Sequence, residues 1–277
     1  MKQITLKTGE TVPALGLGTW KMGIGEPDEA GQIDALRTGI DLGLTLIDTA
    51  EMYGEGRSEA LVGKAIAGRR DEVFVVSKVL PSNASLKGTI AACERSLRHL
   101  STDRIDLYLL HWRGSVPLAE TVQAFETLKR DGKIRHWGVS NLDPSDMAEL
   151  ARVPGGTGCV ADQVEYSLSE RGIEWDLLPQ NRKAGIATMA YCPLGEGKLV
   201  DHAGLAEVGR RHGVSAATVA LAYLLQQPDV IAIPKSRSAA RVRENAAALD
   251  LKLDRDDLAA IDRYFPPPTG PSPLAMT

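Results

Sequence analysis

The chain has 277 residues, of which 43% are hydrophobic and 25% charged, and its formal net charge at pH 7 is −4. These proportions are close to globular averages, and they exclude a disordered chain, a collagen and a coiled coil. Acidic and basic residues are mixed along the chain and no run of 18 apolar residues occurs, so we expect neither a nucleic-acid partner nor a membrane span.

The cysteine content predicts free thiols in a reducing compartment. Cys93, Cys159 and Cys192 are odd in number and widely spaced, and no CxxC pair occurs. This pattern excludes a zinc ribbon and a thioredoxin-type redox pair. The first residues, Met1 to Thr5, also lack the apolar core of a secretion signal. We therefore expect a cytoplasmic protein without a metal site.

The chain begins with a predicted β-hairpin, residues 1–13, in which Thr8-Gly9-Glu10 turns between two short strands. Beyond it, apolar strand-like runs alternate with helical stripes, as in a parallel sheet that is covered by helices. The predicted strands are the runs at residues 14–17, 44–47, 73–76, 105–110, 134–139, 186–190 and 230–233. The predicted helices have apolar stripes at residues 33–44, 86–100, 118–128 and 214–225.

Polar residues end the predicted strands at regular intervals. They are Asp48, Lys78, His111, Ser140, Gln163, Tyr191 and Pro234, and they follow one another at about 30 residues, the length of one βα unit. With the strand at residues 14–17 they give eight such units. We therefore predict an α/β fold, a single (β/α)8 TIM barrel domain over residues 1–277, with additional helices near the C-terminus and a proline-rich tail at residues 266–277.

The alternative architecture and several common mechanisms lack their motifs. An open doubly wound sheet would carry GxGxxG, but Lys21 stands where Gly16-Leu17-Gly18 would need its third glycine. There is no GxxxxGK[ST] phosphate loop, no HExxH metal pair and no GxSxG nucleophile elbow. No tyrosine has a lysine four residues later, as short-chain dehydrogenases do. These absences exclude the corresponding enzyme classes.

Three successive strand ends supply an acid, a base and an imidazole, at the face where such a barrel holds its active site. A partly buried Lys78 needs an anion, which Asp48 would supply. Tyr53 follows in a glycine-flanked turn, and an ammonium beside it would lower its pKa, so that it acts as a general acid near neutral pH. His111 would orient a substrate carbonyl. The predicted catalytic residues are Asp48, Tyr53, Lys78 and His111, in a site that protonates oxygen as hydride reaches carbon.

The chain resembles the aldo-keto reductase family over most of its length. The resemblance lies in Ile47-Asp48-Thr49-Ala50-Glu51-Met52-Tyr53-Gly54, Ser77-Lys78, Leu109-Leu110-His111-Trp112, Gly138-Val139-Ser140-Asn141, Asp162-Gln163-Val164-Glu165-Tyr166, Ala190-Tyr191-Cys192-Pro193-Leu194 and Ile233-Pro234-Lys235-Ser236. Seven segments in order and at barrel spacing make it specific. The most similar branch is the small bacterial one, with methylglyoxal and diketo-sugar-acid reductases. The resemblance implies an NADPH-dependent reductase without a metal.

The resemblance also implies the cofactor site. Ser140, Asn141 and Gln163 would hold the nicotinamide carboxamide, and Tyr191 would stack on the nicotinamide ring. Cations near the ribose suit a 2′-phosphate and favour NADPH, while dual use of NADPH and NADH stays open. The predicted cofactor residues are Gly18, Thr19, Trp20, Asp48, Ser140, Asn141, Gln163, Tyr191, Pro193, Leu194, Gly195, Pro234, Lys235, Ser236, Arg241, Glu244 and Asn245.

Short loops around the predicted mouth favour an open site for small reactive aldehydes. The loop from His111 to Pro117 and the stretch after Tyr191 are both short. Arg113 is the nearest candidate for binding the anion of a sugar acid. The predicted substrate contacts are Trp20, Met22, Met52, Tyr53, His111 and Trp112. The helices show no additional apolar face, so we expect a monomer.

Two other functions remain open from the sequence. A desolvated Lys78 could form a Schiff base with a carbonyl, as in barrel aldolases. Against this, Asp48 would keep the lysine protonated. The family resembled also includes NADPH-binding subunits that sense redox state with little turnover, although all four catalytic positions are filled here.

Overall fold

In the computed structural model, which describes residues 2–25 and 28–276, strands and helices alternate along the chain. The strands are β1 (Gln3–Thr5), β2 (Thr11–Pro13), β3 (Leu17–Gly18), β4 (Leu46–Asp48), β5 (Phe74–Val79), β6 (Ile105–Leu110), β7 (Ile134–Ser140), β8 (Ala161–Glu165), β9 (Ala187–Tyr191) and β10 (Val230–Ala232). The helices are α1 (Glu29–Asp41), α2 (Arg57–Ala65), α3 (Leu86–Leu100), α4 (Leu118–Arg130), α5 (Pro144–Leu150), α6 (Leu177–Lys183), α7 (Ala203–His212), α8 (Ala216–Gln226), α9 (Ala239–Ala246) and α10 (Arg255–Tyr264).

Strands β3 to β10 pair in parallel in chain order, and the first and last of them meet. The N–H of Ala232 donates to the carbonyl of Ala14 at 2.9 Å, and the N–H of Gly18 donates to the carbonyl of Pro234 at 3.0 Å. Gly18 has to be glycine, because a Cβ there would lie 2.8 Å from the carbonyl oxygen of Ile233. The predicted eight-stranded barrel is confirmed.

The helices bury the apolar stripes that predicted them. In α4, Leu118, Val122, Phe125 and Leu128 are all buried. Each such side chain contributes about 1.5–3 kcal/mol when it leaves water. In α3, Ser85 accepts a hydrogen bond from the N–H of Gly88 and so begins the helix.

The N-terminal hairpin covers one end of the barrel. Strands β1 and β2 pair antiparallel, with Ile4 opposite Val12. Glu10 then binds Arg135 at 2.8 Å and His136 at 2.5 Å, both near the beginning of β7. Met1 of the predicted hairpin lies outside the described residues. The opposite end, where the strands finish, is left for the site.

The additional helices lie where the sequence predicts them. Two helices, α7 and α8, separate β9 from β10, and α10 follows α9. Arg171 fixes the end of α10 through Asp262 at 2.8 Å and the carbonyl of Phe265. Residues 266–276 of the predicted tail are neither helical nor in a strand, and Thr277 lies outside the described residues. In the described part of the chain, no helix is long and apolar enough to cross a membrane.

Candidate active site

The polar strand ends meet at the open end of the barrel. Asp48 is the last residue of β4, Lys78 is the fifth residue of β5, and His111 directly follows β6. All six residues of β5 are buried, which takes Lys78 into the interior with no exposed surface. A charge in this position needs partners, because its lost hydration has to be replaced.

Lys78 finds three oxygen partners. Its Nζ donates to Asp48 Oδ2 at 2.8 Å, to the carbonyl of Thr49 at 2.9 Å and to the hydroxyl of Tyr53 at 3.2 Å. The other carboxylate oxygen of Asp48 accepts a hydrogen bond from Gln163 Nε2 at 2.8 Å. The ammonium is therefore paired with one charge and points a hydrogen at the phenol oxygen, as the sequence predicts for Asp48, Lys78 and Tyr53.

The balance of these effects on Tyr53 differs from the expectation. Burial raises the pKa of the Tyr53 hydroxyl, and the nearby ammonium of Lys78 lowers it by less, so the pKa ends above its usual value of 10.0. The prediction of a lowered pKa was wrong, because it counted the ammonium and not the desolvation of the phenolate. The consequence is that Tyr53 carries its proton throughout the neutral range.

Lys78 stays charged in spite of its burial. Desolvation lowers the pKa of its ammonium, but Asp48 and Tyr53 more than offset this, and the pKa is raised above 10.5. A lysine attacks a carbonyl only as the neutral amine. The electrostatics therefore oppose the Schiff-base alternative.

His111 is a neutral imidazole at the same mouth. Burial, and then the charge of Lys78, lower its pKa to about 2. Its ring lies edge-on to the ring of Tyr53, with centroids 5.8 Å apart. Its Nδ1 is buried and has no hydrogen-bond partner among the residues that the structure describes. A neutral imidazole can donate one hydrogen bond to a carbonyl oxygen without carrying a charge.

The predicted carboxamide-binding residues form one connected cluster. The Ser140 hydroxyl donates to the carbonyl of Gln163 at 2.8 Å, and Asn141 Nδ2 donates to the carbonyl of His111 at 3.1 Å. The Tyr191 hydroxyl donates to Asn141 Oδ1 at 2.9 Å. Asn141 has φ 57°, in the left-handed region that asparagine tolerates better than most residues. These contacts connect the ends of β7, β8 and β9 beside the cluster of Asp48, Lys78 and Tyr53.

The predicted apolar wall of the mouth is only partly present. Met52 is 40% exposed, Trp20 is half-buried, and the half-buried Trp112 lies 4.8 Å from the ring of His111. Met22, by contrast, has no exposed surface and belongs to the core. Its N–H closes a turn onto the carbonyl of Thr19 at 2.9 Å, and this turn directs the side chain inward. The prediction of Met22 as a substrate contact was therefore wrong.

The predicted adenosine-end residues lie at the β10–α9 connection. Pro234 is buried, whereas Lys235, Arg241 and Glu244 are exposed, and Ser236 is half-buried. The Ser236 hydroxyl binds the backbone of Ser238 rather than another side chain. Asn245 is buried on the inner side of α9.

The other predicted cofactor residues lie at the ends of β9 and β3. The segment after Tyr191 contains Pro193, Leu194 and Gly195. The Thr19 hydroxyl donates to the carbonyl of Asp48 at 2.9 Å.

Arg113 is already engaged as an ion-pair partner. Its guanidinium binds Asp146 at 2.8 Å and Glu149 at 2.9 Å, both on α5. These two carboxylates occupy the fork that a substrate anion would need. A substrate anion would therefore have to displace one of these carboxylates to bind Arg113.

Two carboxylates beside the site escaped the sequence interpretation. Glu51 accepts hydrogen bonds from the N–H of Leu80 and from Asn83, and it binds Arg95 at 3.0 Å. Glu59 is fully buried on α2. In the sequence, each is only an acidic residue near the Tyr53 turn. Acidic residues are equally common at exposed helix starts, so the sequence does not distinguish these two. Within residues 2–25 and 28–276 no group of three or more histidine, cysteine, aspartate or glutamate side chains could hold a metal ion.

The chain is similar to known reductases over its whole length. The model of the aldo/keto reductase family matches residues 14–265. Methylglyoxal reductase YeaE of Escherichia coli is 48% identical over 280 residues, which cover 99% of either chain. Glyoxal reductase of Bacillus subtilis is 34% identical, covering 94% of this chain and 91% of that one. An aldo/keto reductase from Klebsiella pneumoniae, solved in complex with NADP and acetate, is 48% identical with a TM-score of 0.97 and covers 100% of this chain and 99% of that one.

Proposed function

The chain belongs to the aldo/keto reductase family, and we propose that it uses NADPH to reduce small aldehydes and ketones to alcohols, with Tyr53 as the general acid. The observation that carries this proposal is the contact of 3.2 Å between Lys78 Nζ and the Tyr53 hydroxyl, above an ion pair of 2.8 Å with Asp48. A buried ammonium stabilises the phenolate that remains after Tyr53 has donated its proton.

The residues at the mouth have separate tasks. Tyr53 is protonated at neutral pH, and its hydroxyl can donate that proton to a substrate oxygen. The neutral His111 donates a hydrogen bond to the same oxygen and so fixes its orientation. Lys78 and Asp48 stay behind the phenol and supply only electrostatic stabilisation.

The residues also suit a nicotinamide cofactor. Gln163 uses its amide nitrogen on Asp48, which leaves its amide oxygen as an acceptor for a carboxamide N–H. Ser140 and Asn141 add a hydroxyl and an amide, and Tyr191 offers a half-exposed aromatic ring beside them. When bound, the reduced nicotinamide supplies the hydride for the carbonyl carbon. The Klebsiella pneumoniae relative binds NADP.

The exposed cations at the β10–α9 connection support the phosphorylated form of the cofactor. Lys235 and Arg241 lie on either side of the beginning of α9. A 2′-phosphate on the ribose would accept charge-assisted hydrogen bonds from them, which NADH cannot do.

We further propose that the preferred substrates are small uncharged 2-oxoaldehydes such as methylglyoxal. The Escherichia coli and Bacillus subtilis relatives are a methylglyoxal and a glyoxal reductase. The engagement of Arg113 by two carboxylates supports this choice over a sugar acid, because the acid's anion would have to compete with Asp146 and Glu149 for the guanidinium.

The test is the loss of NADPH absorbance at 340 nm with purified protein and methylglyoxal. We expect turnover in the wild type and none above background in Tyr53→Phe. The exposed Tyr264 on α10 provides a matched control, since Tyr264→Phe should keep full activity. If the wild type binds NADPH, seen as quenched tryptophan fluorescence, but reduces neither methylglyoxal nor an aromatic aldehyde, the reductase proposal is refuted and a redox sensor is favoured.

A further inference from the structure

A carboxylate outside the catalytic group is buried directly behind it. Glu59 has no exposed surface, and it is the third residue of α2, the helix that follows the Tyr53 turn. Glutamate at this position often bonds back to the residue that begins the helix. Here it does not, because Oε1 accepts a hydrogen bond from the Ser77 hydroxyl at 2.6 Å and Oε2 lies 3.0 Å from His99 Nδ1.

These two partners come from different elements of the fold. Ser77 precedes Lys78 on β5 and is fully buried, and His99 lies in the last turn of α3. Gly56, at the beginning of α2, admits the His99 ring, because a Cβ there would lie 2.1 Å from His99 Nδ1. The groups that hydrogen-bond to the Glu59 carboxylate are therefore one hydroxyl and one imidazole, and the positive end of α2 adds to them. The buried Tyr108 hydroxyl and Cys93 thiol also lie close enough to interact with its charge.

The same helix also holds the catalytic tyrosine. The N–H of Ser58, in the first turn of α2, donates to the carbonyl of Tyr53 at 3.2 Å, and the Ser58 hydroxyl donates to the carbonyl of Met22 at 2.6 Å. A shift of α2 relative to β5 would therefore move Tyr53 relative to Lys78. The bond between Glu59 and Ser77 is a direct side-chain link that opposes such a shift.

We propose that Glu59 is a positioning residue that links the turn carrying Tyr53 to the strand carrying Lys78 and so sets the contact between their side chains. This inference rests on the proposed reductase function. A geometric error of about 1 Å at a reacting group can reduce a rate about a hundredfold. The role differs from simple stabilisation, because it predicts a loss in the chemical step and not in cofactor binding.

The first test compares Glu59→Ala with two other variants in the methylglyoxal assay. We expect Glu59→Ala to lower kcat by about ten- to a hundredfold, with the Kd for NADPH unchanged within about twofold, a difference of a few tenths of a kcal/mol. Glu59→Gln should recover most of kcat, because its amide oxygen still accepts the Ser77 hydroxyl. Asp257→Ala is the matched control. Asp257 is also a fully buried carboxylate that contacts a histidine, with Oδ2 2.8 Å from His212 Nε2, but it lies on α10 and does not contact β5.

If Glu59→Ala does not fold, Ser77→Ala removes one end of the link with a smaller change. It should lower kcat in the same direction, and adding Glu59→Gln to it should lower kcat little further, because Ser77→Ala has already removed the one bond through which residue 59 acts. The inference is overturned if folded Glu59→Ala keeps the wild-type kcat, or if Asp257→Ala loses as much.

A second readout needs no turnover. The ionisation of Tyr53 is measured as the rise in tyrosinate absorbance during an alkaline titration. The titration curve of Tyr53→Phe is subtracted, so that only the signal of Tyr53 remains. Loosening the contact with Lys78 removes the charge that lowers the pKa of Tyr53, so the titration should move to higher pH in Glu59→Ala. A shift in an otherwise inactive protein would keep the positioning role and refute the reductase function. An unchanged titration in an active protein would refute the positioning role alone.

Discussion

Asp162 should destabilise the protein as the pH rises, and Asp162→Asn should remove that effect. The side chain is fully buried on β8, directly before Gln163, and it accepts a hydrogen bond from Asn181 Nδ2 at 3.2 Å. Burial raises its pKa from 3.8 to about 8, and Asp146 adds to the rise, while hydrogen bonds from Asn181 and the backbone of Leu142 reduce it. Within residues 2–25 and 28–276, no cation is among the groups that offset the burial.

The sign and size of the effect follow from linkage. The folded protein holds the Asp162 proton up to about pH 8, whereas the unfolded chain releases it near pH 3.8. This contribution to stability is therefore complete below pH 3.8 and is lost as the pH rises to about 8, at about 1.4 kcal/mol per pH unit. Between pH 5 and pH 9 the free energy of unfolding of the wild type should therefore fall by about 4 kcal/mol relative to that of Asp162→Asn.

The assay is urea denaturation of both proteins at pH 5 and pH 9, since titrations common to both cancel in their difference. Asp106→Asn is the matched control, because Asp106 is 1% exposed but binds Arg70 at 2.7 Å and the N–H of Val75 at 2.8 Å. Asp106→Asn removes the charge that these groups bind, so the free energy of unfolding should fall at both pH 5 and pH 9. The reasoning is refuted if the advantage of Asp162→Asn is the same at pH 5 and pH 9.

Three further predictions concern the site. Asp48→Asn leaves the Lys78 ammonium without its charge partner, and calorimetry should show a loss of about 3–5 kcal/mol together with lost activity; an unchanged melting temperature would contradict this. Arg241→Ala should raise the Kd for NADPH about tenfold and leave that for NADH unchanged, whereas equal effects on both would count against a phosphate contact. Arg113→Ala should leave the ratio of kcat/KM between methylglyoxal and a keto sugar acid unchanged, and a selective loss of the sugar acid would restore Arg113 as an anion clamp.

The barrel was predictable because most of its strands are buried on both sides and are therefore continuously apolar. Strand β8 departs most from this pattern, since three of its five residues, Asp162, Gln163 and Glu165, are acidic or amide side chains. Only the spacing of strand ends indicated it. The reason is that Asp162 bonds to Asn181 of α6, whereas Gln163 bonds to Asp48 across the barrel. Polar partners that lie 19 and 115 residues away in the chain leave no local pattern.

The cluster of Asp48, Lys78 and Tyr53 was predictable for a related reason. Charged residues have no place in a buried parallel strand unless they are paired, so Asp48 and Lys78 were visible as departures from the apolar pattern. Met22 and Glu59 were not, because an apolar side chain near a mouth and an acid near a helix start are both common at surfaces. Whether such a residue turns inward depends on contacts such as the turn at Thr19 and the hydroxyl of Ser77.

The hydrogen bonds of Lys78 also limit which reaction the mouth can perform. A lysine ammonium has three hydrogens, and here they have three acceptors, in Asp48, Thr49 and Tyr53. Attack on a carbonyl would require a free electron pair on Nζ, and so the loss of a proton that this environment holds more tightly than water does. What the ammonium can do without moving is stabilise negative charge on the phenol oxygen. The proposed protonation of a substrate oxygen by Tyr53 would make use of that arrangement, and carbonyl reduction needs such a protonation.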